Sequence, residues 1–189
     1  MKTPPMILLI GPSGSGKTTI ASFLNLRNGW RSIESYTTRS PRYEGEEGHI
    51  FISDAEFDKL TDLVAYTEYN NHRYGCTSKQ IDEHEIYVVD IPGVETLLAN
   101  YKGSKKFLAV YLDVPADERQ SRMAERGDGD TKIQDRLSND ADAFMDASNK
   151  LKKMLGDENV LVVASRFSVD TTLLIEEHLI KEGYEWETI

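Results

Sequence analysis

Met6-Ile7-Leu8-Leu9-Ile10 is an unbroken apolar run, the pattern of a strand buried on both faces of a parallel sheet. A helix is predicted to follow over Lys17–Arg27. Between Ser32 and Glu85 the pattern changes to polar and aromatic residues with short alternating runs (His49 to Ile52, Val64 to Tyr66). This stretch reads as an inserted lobe, in which Ser53 or Asp54 caps a short helix through Leu60. The buried-strand pattern resumes at Ile86–Val89, ending in Asp90, and at Phe107–Leu112, ending in Asp113. A helix is expected from about Pro115 to Arg126, broken by Gly127-Asp128-Gly129-Asp130, and a long amphipathic helix from about Lys132 to Leu155. A last strand at Val160–Ala164 and a closing helix at Val169–Lys181, stopped by Gly183, complete the chain. Strands alternating with helices predict a three-layer α/β fold whose ligands sit beyond the carboxyl ends of the strands.

Directly after the first run comes Gly11-Pro-Ser-Gly-Ser-Gly-Lys-Thr-Thr19, a phosphate-binding loop in the strand–loop–helix context that gives this motif its meaning. The loop Gly11, Ser13, Gly14, Ser15 and Gly16 turns backbone N–H groups around a polyphosphate, and the helix N-terminus adds partial positive charge there. Lys17 reaches toward the β- and γ-phosphates, Thr18 helps to hold Mg²⁺, and Thr19 continues the loop. The fold class is therefore that of a P-loop NTPase, with ATP and Mg²⁺ as expected cofactors.

The chain has 189 residues and a formal net charge of −10, with 39% hydrophobic residues. That length suits one core domain with small inserted lobes. The acidity speaks against nucleic acid and anionic membranes as partners, so an anionic substrate must meet local arginine clusters. The single cysteine, Cys76, fits a reducing cytosol, and the five-residue apolar run near the start is too short for a signal peptide or membrane span. A cytoplasmic monomer or homodimer is expected.

Two arginine clusters stand out. Arg39 and Arg42, three apart around Pro41, suit bidentate contact with a phosphate, or are solvated surface residues. Arg119, Arg122, Arg126 and Arg136 flank the glycine-rich break, which suits a lid bringing charge to a moving phosphoryl group; the other reading is a salt-bridged helix.

With these pieces in view the chain resembles the guanylate kinase family over nearly its whole length. The matching blocks are the phosphate loop, S-Y-T-T-R-S-P-R (35–42), F-I-S-D-A-E-F (51–57), R-Y-G-C-T (73–77), V-V-D (88–90) and R-M-A-E-R-G with D-R-L (122–127, 135–137). The resemblance implies an acceptor-binding lobe at about 35–84 and a lid at about 120–137. It places Arg39, Arg42 and Tyr74 on the acceptor phosphate and Ser35 near the base. It also implies that Lys17, Arg122, Arg126 and Arg136 stabilise the transferring group, and that Asp90 lies near Mg²⁺ or the acceptor. The chain departs from the family on the base side. Gly48-His49-Ile50-Phe51 replaces G-x-D-Y-x-F, leaving His49 as the polar substitute. Ala65 stands where the family's guanine-reading glutamate is expected, so Glu68 reaches the base only if the strand shifts. Cys76 follows Tyr-Gly in place of a hydroxyl residue, and Asp90-Ile91-Pro92-Gly93 lacks the usual second aspartate. The expected reaction is ATP + GMP = ADP + GDP. Alternatives are other nucleoside monophosphates, ribose 1,5-bisphosphate as acceptor, a GTPase switch, or a non-catalytic binding module.

Overall fold

The computed structural model describes residues 3–69, 71–164 and 167–186. Its central sheet is parallel, in the order β6-β1-β7-β8, from β1 (Met6–Ile10), β6 (Ile86–Val88), β7 (Phe107–Leu112) and β8 (Val160–Val163). All five β1 residues have no solvent exposure, as their unbroken apolarity requires. One face of the sheet packs with Ile20, Leu24, Ile175 and Leu179 from helices α1 (Lys17–Asn28) and α8 (Ser168–Lys181). The other packs with Val94, Leu97, Ala147 and Leu151 from α4 (Ile91–Asn100) and α7 (Ala147–Leu155). Burying each of these Leu and Ile side chains contributes about 1.5–3 kcal/mol.

A second, four-stranded sheet has the order β3-β2-β5-β4, from β2 (Ser35–Thr37), β3 (His49–Phe51), β4 (Leu63–Tyr69) and β5 (His72–Thr77). Register and pleat put His49, Ser35, Thr37, Tyr74, Cys76, Ala65 and Thr67 on one face. Helix α2 (Asp54–Phe57) is closed by a capping box between Ser53 and Glu56, ending before the predicted Leu60. Helix α3 (Ser78–Glu83), not foreseen, has the same device in Thr77 and Gln80.

Two further elements differ from expectation. Helix α4 was not foreseen at Asp90-Ile-Pro-Gly93: Asp90 caps the helix by accepting the Gly93 N–H at 2.8 Å, and proline is tolerated in the first turn. The single long helix expected over 132–155 is two, α6 (Asp130–Ala143) and α7, with α5 (Ala116–Glu125) before them. The break comes at Asp146, in left-handed conformation (φ 57°). It turns Phe144 onto the Tyr111 ring in the sheet, with centroids 6.3 Å apart, and lets Ala147 and Leu151 face the core. Trp186 meets Trp30 at 5.2 Å and donates to Asn28 Oδ1 at 2.8 Å, while Glu187 lies outside the described residues. Among the described residues no helix is long and apolar enough to cross a membrane.

Candidate active site

The two sheets and the α5–α6 connection line one cleft of about 1310 Å³. Its floor is the glycine loop. Gly16 precedes α1 with φ 96°, and Gly14 has φ 77° with Arg119 O only 2.8 Å from where a Cβ would stand. Only glycine serves at these two points. No side chain caps α1, so its first N–H groups remain available to an anion. Lys17 Nζ donates to Gly11 O (2.6 Å) and Pro12 O (3.0 Å). Burial pushes its pKa down to about 8; Asp140 and Asp90 pull upward, and Arg119 and Arg126 add to the lowering. Thr18 and Thr19 are exposed along the cleft. Ser15 is buried off the cleft, its Oγ without a partner among the described residues.

One wall comes from the second sheet. Arg39 forks onto Glu46, with Nη1 to Oε2 at 3.1 Å and Nη2 to Oε1 at 2.8 Å. Its guanidinium lies 5.2 Å over the Phe51 ring. The Arg42 N–H donates to the same Glu46 carboxylate at 2.6 Å, and its Nη1 stands 3.4 Å away. The Arg39 pairing, against the cost of burial and with help from Arg42, pulls the Glu46 pKa down to about 2. Arg39 Nε is buried with no partner among the described residues. Ser35 Oγ and His49 Nδ1 are 2.9 Å apart, and the imidazole meets Tyr74 edge-on at 5.7 Å. Burial, then Arg39, lowers the His49 pKa, so the ring is neutral at pH 7. Thr67 Oγ1 donates to Asp90 Oδ2 at 2.9 Å. Burial raises the Asp90 pKa against these hydrogen bonds.

The other wall carries the second arginine cluster. Arg122 Nη1 lies 3.4 Å from both Gly14 O and Ser15 O, and its Nε donates to Glu118 at 3.3 Å. Arg126 and Arg136 share Asp128, Arg136 at 3.0 Å. Burial opposes ionisation of Asp128, but the two arginines outweigh it and its pKa falls. Arg39, Arg42, Arg122, Arg126 and Arg136 thus line one cleft with Lys17, and each has a carboxylate partner.

Two sequence expectations need correction. Cys76 is fully buried and lines no part of the cleft; it pairs with Ala65 in the core, where burial pushes its thiol up to about 12. The bulge in β4 lies earlier, between Leu63 and Ala65, so Thr67 takes the inner face; Glu68 lines the cleft as well, where it accepts from the Tyr66 hydroxyl. Asp113 follows its strand but is exposed and outside the cleft. Glu46, Asp128, Thr67 and Asp140 were not anticipated. Glu46 and Asp128 are acids set within a few residues of the predicted arginines, a signal legible in retrospect.

The fit to Mg²⁺ rests on Thr18. Its hydroxyl is a hard oxygen donor exposed at the helix N-terminus, as a Mg²⁺ shared with phosphate oxygens and waters requires. Among the described residues no cluster of three or more His, Cys, Asp or Glu could hold a metal alone, and a phosphate-borne ion needs none.

A family model described as an AAA domain matches residues 7–146. The guanylate kinase of Campylobacter jejuni subsp. jejuni is 32% identical over 173 residues, covering 84% of this chain and 83% of that protein. The guanylate kinase of Thermobifida fusca is 32% identical over 136 residues, covering 65% and 67%. The crystal structure of guanylate kinase from Anaplasma phagocytophilum shares the fold, with a TM-score of 0.66 at 19% identity over 98% of this chain and 90% of that one.

Proposed function

The chain belongs to the guanylate kinase family, and from that premise we propose that its cleft transfers the γ-phosphoryl group of ATP to a nucleoside monophosphate, GMP or dGMP foremost. The observation that carries this reading is the placement of Lys17 and the Arg39–Arg42 pair in one cleft, with Arg122, Arg126 and Arg136 also lining it. An acceptor phosphate held by Arg39, Arg42 and Tyr74 presents an oxygen to the γ-phosphorus. As that O–P bond forms, the bond to the β–γ bridging oxygen breaks and ADP leaves. The acceptor is already anionic, so no general base is needed; alignment and charge neutralisation do the work. Lys17, Arg122, Arg126 and Arg136 meet the equatorial charge, and such an arginine is worth about 10³–10⁵ in rate. Thr18 would hold Mg²⁺, which would supply further neutralisation of the phosphate charge. Residues 35–84 serve as the acceptor lobe and 120–137 as the lid.

Base recognition falls to Ser35, His49, Thr67 and Asp90. Ala65 is fully buried in the core, so no carboxylate stands at that position to pair with guanine. A site that hydrogen-bonds a substrate group rejects analogues lacking it by about 10⁴–10⁵; fewer such contacts predict broader acceptance of bases. The acidic surface, −10 overall, and the buried free cysteine support a cytosolic enzyme without nucleic-acid partners.

The test is ADP release from MgATP against ribo- and deoxynucleoside monophosphates and ribose 1,5-bisphosphate. Turnover with GMP and dGMP, accompanied by weaker turnover of other monophosphates, is expected. Strict GMP dependence would refute the broadened base reading, and no turnover with any monophosphate would refute the kinase reading itself.

A further inference from the structure

Asp140 is a buried carboxylate that the phosphoryl-transfer scheme does not use. It sits on α6, only 7% exposed, yet it reaches the phosphate loop. Oδ2 accepts the Ser13 backbone N–H at 2.8 Å, and Oδ1 lies 3.5 Å from the Ser13 hydroxyl. Arg119, on α5 and equally buried, completes the arrangement. Its Nη1 donates to Asp140 Oδ2 (3.2 Å) and to Ser13 O (3.3 Å), and its Nε donates to Val114 O (3.1 Å). The peptide groups on both sides of Ser13 are therefore held, one by each helix. The next residue, Gly14, packs directly on the Arg119 backbone.

The helical spacing shows what this arrangement connects. Arg119 is three residues from Arg122 on α5, and Asp140 is four from Arg136 on α6, so each clamp residue shares a helix face with a cleft arginine. A buried ion pair is weak evidence for stability, because an apolar pair of similar volume often serves as well. Here the pair is not confined to two helices; it binds a loop 127 residues away in sequence.

We infer that Arg119 and Asp140 are a positioning pair: they lock the two helices flanking the lid to the phosphate loop at Ser13, and so set where Arg122 and Arg136 stand relative to Lys17. This rests on the kinase reading above. Misplacement by about 1 Å costs roughly 100-fold in such reactions, so a clamp one turn from the working arginines acts on kcat.

The decisive variant is the apolar pair Arg119→Met/Asp140→Leu, with Asp140→Asn beside it. The double variant is expected to melt near the wild-type temperature, with kcat lowered at least about 10-fold, KM for ATP and acceptor within about 3-fold, and faster hydrogen exchange at the Ser13 amide. Wild-type kcat and wild-type Ser13 exchange in the folded double variant would overturn the inference. Should that variant fail to fold, Asp140→Asn decides. It keeps an oxygen for the Ser13 N–H but removes the charge that holds Arg119, so kcat falls about 3–10-fold while KM for ATP and acceptor stays within about 3-fold. An unchanged kcat refutes the proposal. If the wild type turns over no monophosphate, the kinase reading is what has failed. Ser13 exchange and the affinity for a non-hydrolysable MgATP analogue then decide the clamp: wild-type values for both in the double variant, or in Asp140→Ala should the double variant not fold, overturn it, and a change in either sustains it.

Discussion

Replacing Lys17 with methionine should make the protein more stable as it makes the enzyme inactive. In the folded protein burial lowers the Lys17 pKa from 10.5 to about 8. The folded state therefore holds the Lys17 proton less well than the unfolded chain does. Below pH 8 both states are protonated, and the charged group opposes folding by about 3 kcal/mol as an upper bound, at 1.36 kcal/mol per pH unit. Between pH 8 and 10.5 the unfolded chain binds more protons than the native one, so stability rises with pH until the penalty is gone. Lys17→Met has no proton to lose. The buried carbonyls of Gly11 and Pro12 lose a donor in this variant, which costs about 1–2 kcal/mol. Urea unfolding should thus find the variant about 1–2 kcal/mol more stable at pH 7, with the advantage shrinking toward pH 10. A cation about 4 Å from the migrating charge is worth about 4 kcal/mol at an effective dielectric of 20, so kcat should fall about 10³-fold. A stability difference independent of pH would refute the electrostatic account of Lys17, and near-normal turnover would refute its role in transfer.

Arg39→Ala should raise the acceptor KM by about 10–100-fold with a smaller change in kcat, since it removes a bidentate anchor from a non-reacting part of the acceptor; initial rates against GMP measure this. Glu46→Gln should cost about 1 kcal/mol of stability at pH 7 after allowance for solvent screening. Because the Glu46 pKa is depressed to about 2, that contribution is present above the unfolded pKa of 4.5 and is lost as pH falls toward 2. Acid titration of both proteins should show their stabilities converging, and a constant gap would contradict the pairing. Trp186→Ala should cost about 2–4 kcal/mol through the lost Trp30 contact and the Asn28 hydrogen bond. Near-UV circular dichroism should lose the signature of the tryptophan pair, and an unchanged spectrum would contradict the packing.

The strands of the central sheet were legible because burial on both faces leaves nothing but apolar residues in Met6–Ile10 and Phe107–Leu112. The phosphate loop was legible because its glycines and lysine answer to one chemical demand. Helix α4 was hidden by Asp-Ile-Pro-Gly, whose turn-forming residues serve equally as a cap and first helical turn. The α6–α7 break was hidden because it rests on a left-handed Asp146, a non-glycine residue that no local signal marks for that conformation. Position along the chain did not show that Thr67 joins Glu68 at the cleft, because a pleated strand makes face a matter of register. Asp140 was invisible for a simpler reason: its partner is the Ser13 backbone, which carries no residue code.

The carboxylates seated on the cleft arginines have a consequence for selectivity. A tethered anion competes at an effective concentration that a dissolved ion must exceed. On the proposed reading, Glu46 and Asp128 would make phosphate binding an exchange of one anion for another rather than the filling of a bare positive surface. Chloride, or a carboxylate metabolite touching a single guanidinium, gains too little to dislodge them. A phosphate dianion offers oxygens enough for Arg39 and Arg42 together and can win the exchange. An acidic protein can in this way keep five arginines facing one cleft without becoming a general sink for cellular anions.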